Sequence, residues 1–107
     1  MTEQFDVYRN PIRETNKMWP YYIIVQNDCY NDLSRRVIMP LMNNKLVPLW
    51  QQAIAPKVNI DFETYQLFAP LLTNIDVRKI APADYICNLR AARNDVIHAI
   101  DSLITNT

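Results

Sequence analysis

The stretch Tyr21 to Leu41, YYIIVQNDCYNDLSRRVIMPL, holds two apolar runs joined by a polar turn, and its reading decides the fold. Tyr21 to Gln26 is almost continuously apolar and rich in β-branched and aromatic residues, which suits a strand buried on both faces and central in a sheet. Asn27-Asp28 through Ser34 supplies turn formers. Arg35 to Leu41 then returns as a second strand, with Pro40 where no ladder donor is needed. Arg35 and Arg36 could recognise phosphate or carboxylate. Beside an apolar strand their expected use is structural, as bridges to Asp28 or Asp32.

Toward the amino terminus, Phe5 and Val7 alternate with Gln4, Asp6 and Tyr8, a period of two that predicts a strand with one buried face, ended by Asn10-Pro11. Residues 10–20 mix charge with Pro11, Trp19 and Pro20 and read as a mobile loop whose aromatic end packs back on the sheet. Downstream, Asn43-Asn44 makes a turn. Leu46 to Ala55 is apolar without a clean period and contains Pro48, so irregular structure is expected there. Lys57 to Ile60 and Tyr65 to Ala69 flank Asp61 to Thr64 as the arms of a hairpin. Asp76 to Ile80 alternates again, with Val77 and Lys79 on one face, before Pro82 breaks it.

From Asn88, a capping residue, the period becomes helical: Leu89, Ala92, Val96, Ala99 or Ile100 and Leu103 recur at three- and four-residue steps. Ile97 and Ile104 widen that stripe beyond what packing on one sheet requires, so part of the helix is expected to face a second copy of the chain. The reading is mainly β: several antiparallel strands followed by one carboxy-terminal helix.

At 107 residues, half of them hydrophobic, the chain suffices for one modest core and is read as a single domain over 1–107. Lys plus Arg and Asp plus Glu each number 11, so nothing drives counterion release on nucleic acid, and protein partners fit better. Glu3 and Asp6 stand where an export signal would be apolar, and no run approaches the roughly 18 residues of a membrane span. A soluble, cytoplasmic protein is expected, without membrane contact. Cys29 and Cys87 lie far apart and form no C-x-x-C pair, which predicts free buried or half-buried thiols and no metal site.

Glycine is absent, where ordinary usage would place about seven. That excludes the phosphate-binding loop, the dinucleotide fingerprint and any Asn-Gly hairpin, and no cofactor is expected. Asparagine and aspartate are therefore expected at turn positions needing the left-handed region. His98 is the single histidine, so no His-pair mechanism is available; in an apolar helix it reads as a packed or surface residue. No catalytic residue is assigned.

Phe5-x-Val7-Tyr8-Arg9, Val25-Gln26-x-Asp28, Arg35-Arg36-Val37-Ile38-x-Pro40-Leu41, Pro56-x-Val58-x-Ile60 and Arg93-Asn94-Asp95-Val96-x-x-Ala99-Ile100-Asp101 run in one order along the chain. In that order and spacing the chain resembles the CcdB family of toxins, the poison half of a bacterial toxin–antitoxin pair that attacks DNA gyrase. The resemblance implies an SH3-like β-barrel of the CcdB/PemK toxin type with a long carboxy-terminal helix, assembled as a symmetric homodimer. It implies a protein that is no enzyme: the dimer wedges between two gyrase A subunits and traps cleaved DNA, and a disordered tail of a CcdA-like antitoxin removes it.

Carried onto this sequence, the resemblance places gyrase contacts at Asp101, Leu103, Ile104, Thr105, Asn106 and Thr107. It places the dimer interface at Ile100, Leu103 and Ile104, and antitoxin contacts at Arg13, Glu14 and Lys17. Thr105-Asn106-Thr107 stand where the family ends in Trp-Gly-Ile or a variant keeping Gly-Ile, so the aromatic face that stacks on a partner guanidinium is missing. Cys29 and Tyr30 likewise replace aliphatic residues usual in the family. Two alternatives follow. One is a non-toxic homologue that binds antitoxin only. The other is an endoribonuclease like MazF or PemK using Asp76 with Arg78 as an acid–base pair, against which the neutral charge and the lack of a basic stripe argue.

Overall fold

The computed structural model describes residues 2–43 and 49–105, the side chains of 49–51 excepted. Seven strands precede one α-helix: β1 Asp6–Arg9, β2 Tyr21–Ile24, β3 Arg35–Asn43, β4 Lys57–Ile60, β5 Glu63–Leu67, β6 Thr73–Asp76, β7 Tyr85–Asn88 and α1 Arg93–Thr105. All pairings are antiparallel, in the order β4-β5-β3-β2-β1-β7. The apolar run Tyr21–Ile24 lies between β1 and β3, central as its composition requires.

Strand β3 carries the curl. On the edge away from β2, its first half pairs with β6 (Arg35↔Asp76 to Ile38↔Thr73) and its second half with β5 (Leu41↔Leu67 to Asn43↔Tyr65). One long strand thus feeds two successive neighbours, and the sheet bends into a half-barrel. Because side chains alternate along a strand, the two faces bury different residues. Val7, Ile23, Met39, Leu41 and Leu67 form the inner core with Val96 and Ala99 of α1. Tyr8, Tyr22, Ile24, Ile38 and Ile80 form a second cluster on the outer face.

Several expectations need correction. β1 is buried on both faces, Asp6 and Tyr8 as well as Val7, because the second cluster covers its outer side. No strand spans Asp76 to Ile80: β6 ends at Asp76, whose carboxylate accepts the Arg78 backbone N–H at 2.9 Å and turns the chain into a 3-10 helix at Val77–Lys79. β7 was not expected at all; it pairs with β1 through a bulge between Val7 and Tyr8. The 49–54 segment is a 3-10 helix, while Asn44, Leu46, Val47 and Pro48 lie outside the described residues.

The hairpin turns on two residues rather than four, Asp61 (φ 51°) and Phe62 (φ 67°). Asp61 meets the expectation for a chain without glycine. Phe62 and the buried Phe5 (φ 71°) do not. Phe5 is held there by two sheet-edge bonds, its N–H donating to Ile24 O at 2.6 Å and its carbonyl accepting from Leu89 N at 2.9 Å.

Candidate functional site

Three surfaces carry the residues singled out above. The first is the exposed side of α1. Val96 and Ala99 are fully buried and Ile100 is half-buried against the inner core, which anchors the helix. Ile97, Leu103 and Ile104 are 38%, 41% and 71% exposed. Residues 97, 101 and 104 share one helical face, so the exposed Asp101 lies between two uncovered isoleucines. Thr105 turns its hydroxyl back onto the Asp101 carbonyl at 2.7 Å. Asn106 and Thr107 lie outside the described residues. His98 is exposed, with Nε2 3.5 Å from the Ser102 hydroxyl.

The second surface is the 10–20 loop. Asn10 organises it: its Oδ1 accepts the Ile12 N–H at 3.0 Å, and its Nδ2 donates to Thr15 Oγ1 at 3.0 Å and to the Trp19 carbonyl at 2.8 Å. Trp19 packs on Phe68 at 5.8 Å between ring centroids, so the aromatic end does fold back. Arg13, Glu14 and Lys17 are all exposed. Beside the loop opens an apolar groove of about 470 Å³, floored by Tyr22, Ile38, Pro40 and Ile75 on the outer face of the sheet. Ile12 and Trp19 wall it on the loop side, while Lys79 is its one charged lining residue.

The groove escaped the sequence reading, because its floor comes from three strands and its wall from a loop. The available signal was Ile12, an apolar residue in the charged first half of the loop.

The third surface holds Asp76 and Arg78, which do not share a strand face. Arg78 donates Nη2 to Asp76 Oδ2 at 2.7 Å and Nε to both carboxylate oxygens at 3.1 and 3.2 Å. Those hydrogen bonds, from side chain and backbone, hold the Asp76 carboxyl well below the usual carboxylate range, and the same pairing pushes Arg78 up. An anion so held is poorly placed to take or give a proton near neutral pH.

Arg35 and Arg36 bridge neither Asp28 nor Asp32. Arg35 reaches Asn74 instead. Arg36, buried, donates to the carbonyls of Asn31, Leu33 and Arg35 and to Thr2 Oγ1, because the turn at 27–34 points its backbone oxygens, not its carboxylates, at the strand. Asp28 accepts the Gln4 N–H at 2.8 Å. Both cysteines are free; Cys87 is half-buried as expected, but Cys29 is exposed, because it sits in the 3-10 turn at Asp28–Tyr30, which buries nothing.

A shallow recess lies on the other side of the outer cluster. The buried Asp6 accepts from Glu3 N at 2.9 Å, Asn88 Nδ2 at 3.0 Å and the Tyr8 hydroxyl at 3.4 Å, and Tyr85 and Pro82 complete the lining. Burial, reinforced by Asp6, pushes the Tyr8 hydroxyl up to about 12. Among the described residues no group of three or more His, Cys, Asp or Glu stands close enough to hold a metal, and no helix is long and apolar enough to cross a membrane.

A curled antiparallel sheet with one core inside its curve and α1 laid across that core is the SH3-like barrel of the CcdB/PemK toxin type. The likeness extends to a solved endoribonuclease in complex with its cognate antitoxin from a mycobacterial species: TM-score 0.73 over 95% of this chain and 93% of that chain, at 16% identity. The family described as CcdB protein matches residues 4–106, and the chain belongs to the CcdB family. No curated protein matches it by sequence.

Proposed function

We propose that this chain is a non-catalytic toxin of a bacterial toxin–antitoxin pair, acting in the cytoplasm as a homodimer on the A subunit of DNA gyrase and neutralised by a CcdA-like antitoxin. The carrying observation is the uncovered face of α1 in a chain of the CcdB family, where the exposed Asp101 sits between Ile97 and Ile104. Leu103 and Ile104 are exposed apolar surface that pairing of two helices would cover, with Ile100 bridging to the core. Arg13, Glu14 and Lys17 are exposed charges on the 10–20 loop, suited to a disordered antitoxin segment that orders on binding.

The test is a supercoiling assay with purified gyrase. Inhibition with stabilised DNA cleavage, lost in Asp101→Lys, is the expected result. No inhibition at high excess of the unmodified chain overturns the gyrase reading.

A second reading, a homologue that binds antitoxin without poisoning gyrase, is favoured by Thr105, whose hydroxyl is spent on the helix itself. Induction in cells separates the two: arrest of growth supports the toxin, and harmless expression with antitoxin-peptide binding retained supports the homologue. The endoribonuclease reading finds its acid and base closed on each other at Asp76 and Arg78. Cleavage of a mixed RNA substrate that disappears in Arg78→Ala would restore it.

A further inference from the structure

Phe62 is fully exposed at the tip of the β4–β5 hairpin, with its backbone at φ 67°. Two-residue turns of this hand favour glycine, or asparagine, at the second position, and a bulky aromatic is the costly choice there. The ring contributes nothing to the turn and nothing to either core. Its neighbours are acidic, Asp61 on one side and Glu63 on the other.

The chain also carries the complementary shape. The groove of about 470 Å³ over Ile38, Pro40 and Ile75 has room for a phenyl ring, and its one charged lining residue is the cation Lys79. Ile12 and Leu71 on its margin are 55% and 44% exposed, surface that a seated ring would cover. An aromatic flanked by two carboxylates thus answers an apolar socket lined by one ammonium.

We propose that Phe62 of one copy of this chain seats in the apolar groove of a second copy, with Asp61 and Glu63 against Lys79, a head-to-tail contact separate from any pairing through α1. One ring in one groove is a small interface, so the contact is transient and populated at high concentration. Its two surfaces are different patches, so it propagates from copy to copy unless the rotation closes a ring. The inference needs only these two surfaces and stands apart from the gyrase reading.

Sedimentation velocity of the full chain across a concentration series tests it. The average mass should rise with concentration, and less so at high salt. Phe62→Asn, which keeps a residue tolerant of the left-handed region and so preserves the hairpin, should weaken that rise about tenfold or more. Lys79→Glu should weaken it too, through repulsion of the acidic flanks. Mixing is the decisive arm: Phe62→Asn retains a groove without a ring and Lys79→Glu a ring without an accepting groove, so together they should form one capped contact that neither forms alone. In an Ile104→Asp background, which removes pairing through α1, the remaining concentration-dependent rise and its weakening by Phe62→Asn should persist. Association of Phe62→Asn at wild-type strength, or a mixture in which no contact forms, overturns the proposal.

Discussion

Arg78 folds back on Asp76, two residues earlier in the chain, and engages both carboxylate oxygens with its guanidinium while its backbone N–H takes the same acid. The Arg78 side chain is 86% exposed, whereas that of Asp76 is 19% exposed. The pair ends β6 and starts the next turn, which gives both residues a structural use.

The first prediction follows from the lowered Asp76 pKa. The folded state holds the ionised form, so its stabilising contribution is complete above the ordinary aspartate value of about 3.9 and is lost only as pH falls through the lower folded value. The carboxyl carbon shift of Asp76 in an NMR titration should stay flat through the ordinary aspartate range. A midpoint for Asp76 in the ordinary range would show that the pair does not persist in solution.

Arg36 is expected to be the costliest polar residue to replace. It is buried and serves three carbonyls of the 31–35 turn together with Thr2, so Arg36→Met strands those oxygens and should cost about 3 kcal/mol. Arg36→Lys keeps the charge but lacks the fork of donors, and should recover only part of the loss. Urea midpoints at unchanged m-value are the measurement.

Tyr8 and Tyr22 make the fold sensitive to alkali. Burial pushes each hydroxyl up to about 12, so the folded state keeps protons that the unfolded chain releases from about pH 10. Stability is therefore full below pH of about 10 and falls as pH rises from there toward about 12. Tyr8→Phe and Tyr22→Phe should each flatten that decline in chemical denaturation; an unchanged slope in both would assign it to other groups.

Asn10→Ala removes the three side-chain bonds that shape the 10–20 loop. These are exposed or half-exposed bonds, so the cost to global stability should be about 1 kcal/mol. Hydrogen exchange should accelerate at the backbone amides of Asn16 and Trp19, whose partners Ile12 and Thr15 lie in the same loop, and leave β2 unaffected. If antitoxin engages this loop as proposed, a peptide that binds the wild type should bind the variant less tightly.

The strands of Tyr21 to Leu41 were legible because each is a run whose composition already matches its surroundings. β7 was not, because Tyr85–Asn88 is short, follows Pro82, and is a strand only by pairing with β1 nearly eighty residues earlier. At Asp76 the alternation was real but a side-chain cap overrode it. The helix face of the candidate site could be read from its period. The groove could not, since Ile12, Ile38 and Ile75 meet only through the topology. Composition indicated which residues should occupy the left-handed turns, and Phe62 breaks that rule at a fully exposed position.

The doubly buried sheet has a consequence for how this chain can change. Ile38 and Met39 are successive residues committed to opposite cores. Sliding β3 by one position against β2 would exchange the occupants of both cores at once, so no half-correct register exists for the chain to linger in. A mutant that loosened one core would still be held in register by the other. Variation is therefore free to accumulate in the 10–20 loop and the outward face of α1, while the wall between the two cores keeps the same alignment.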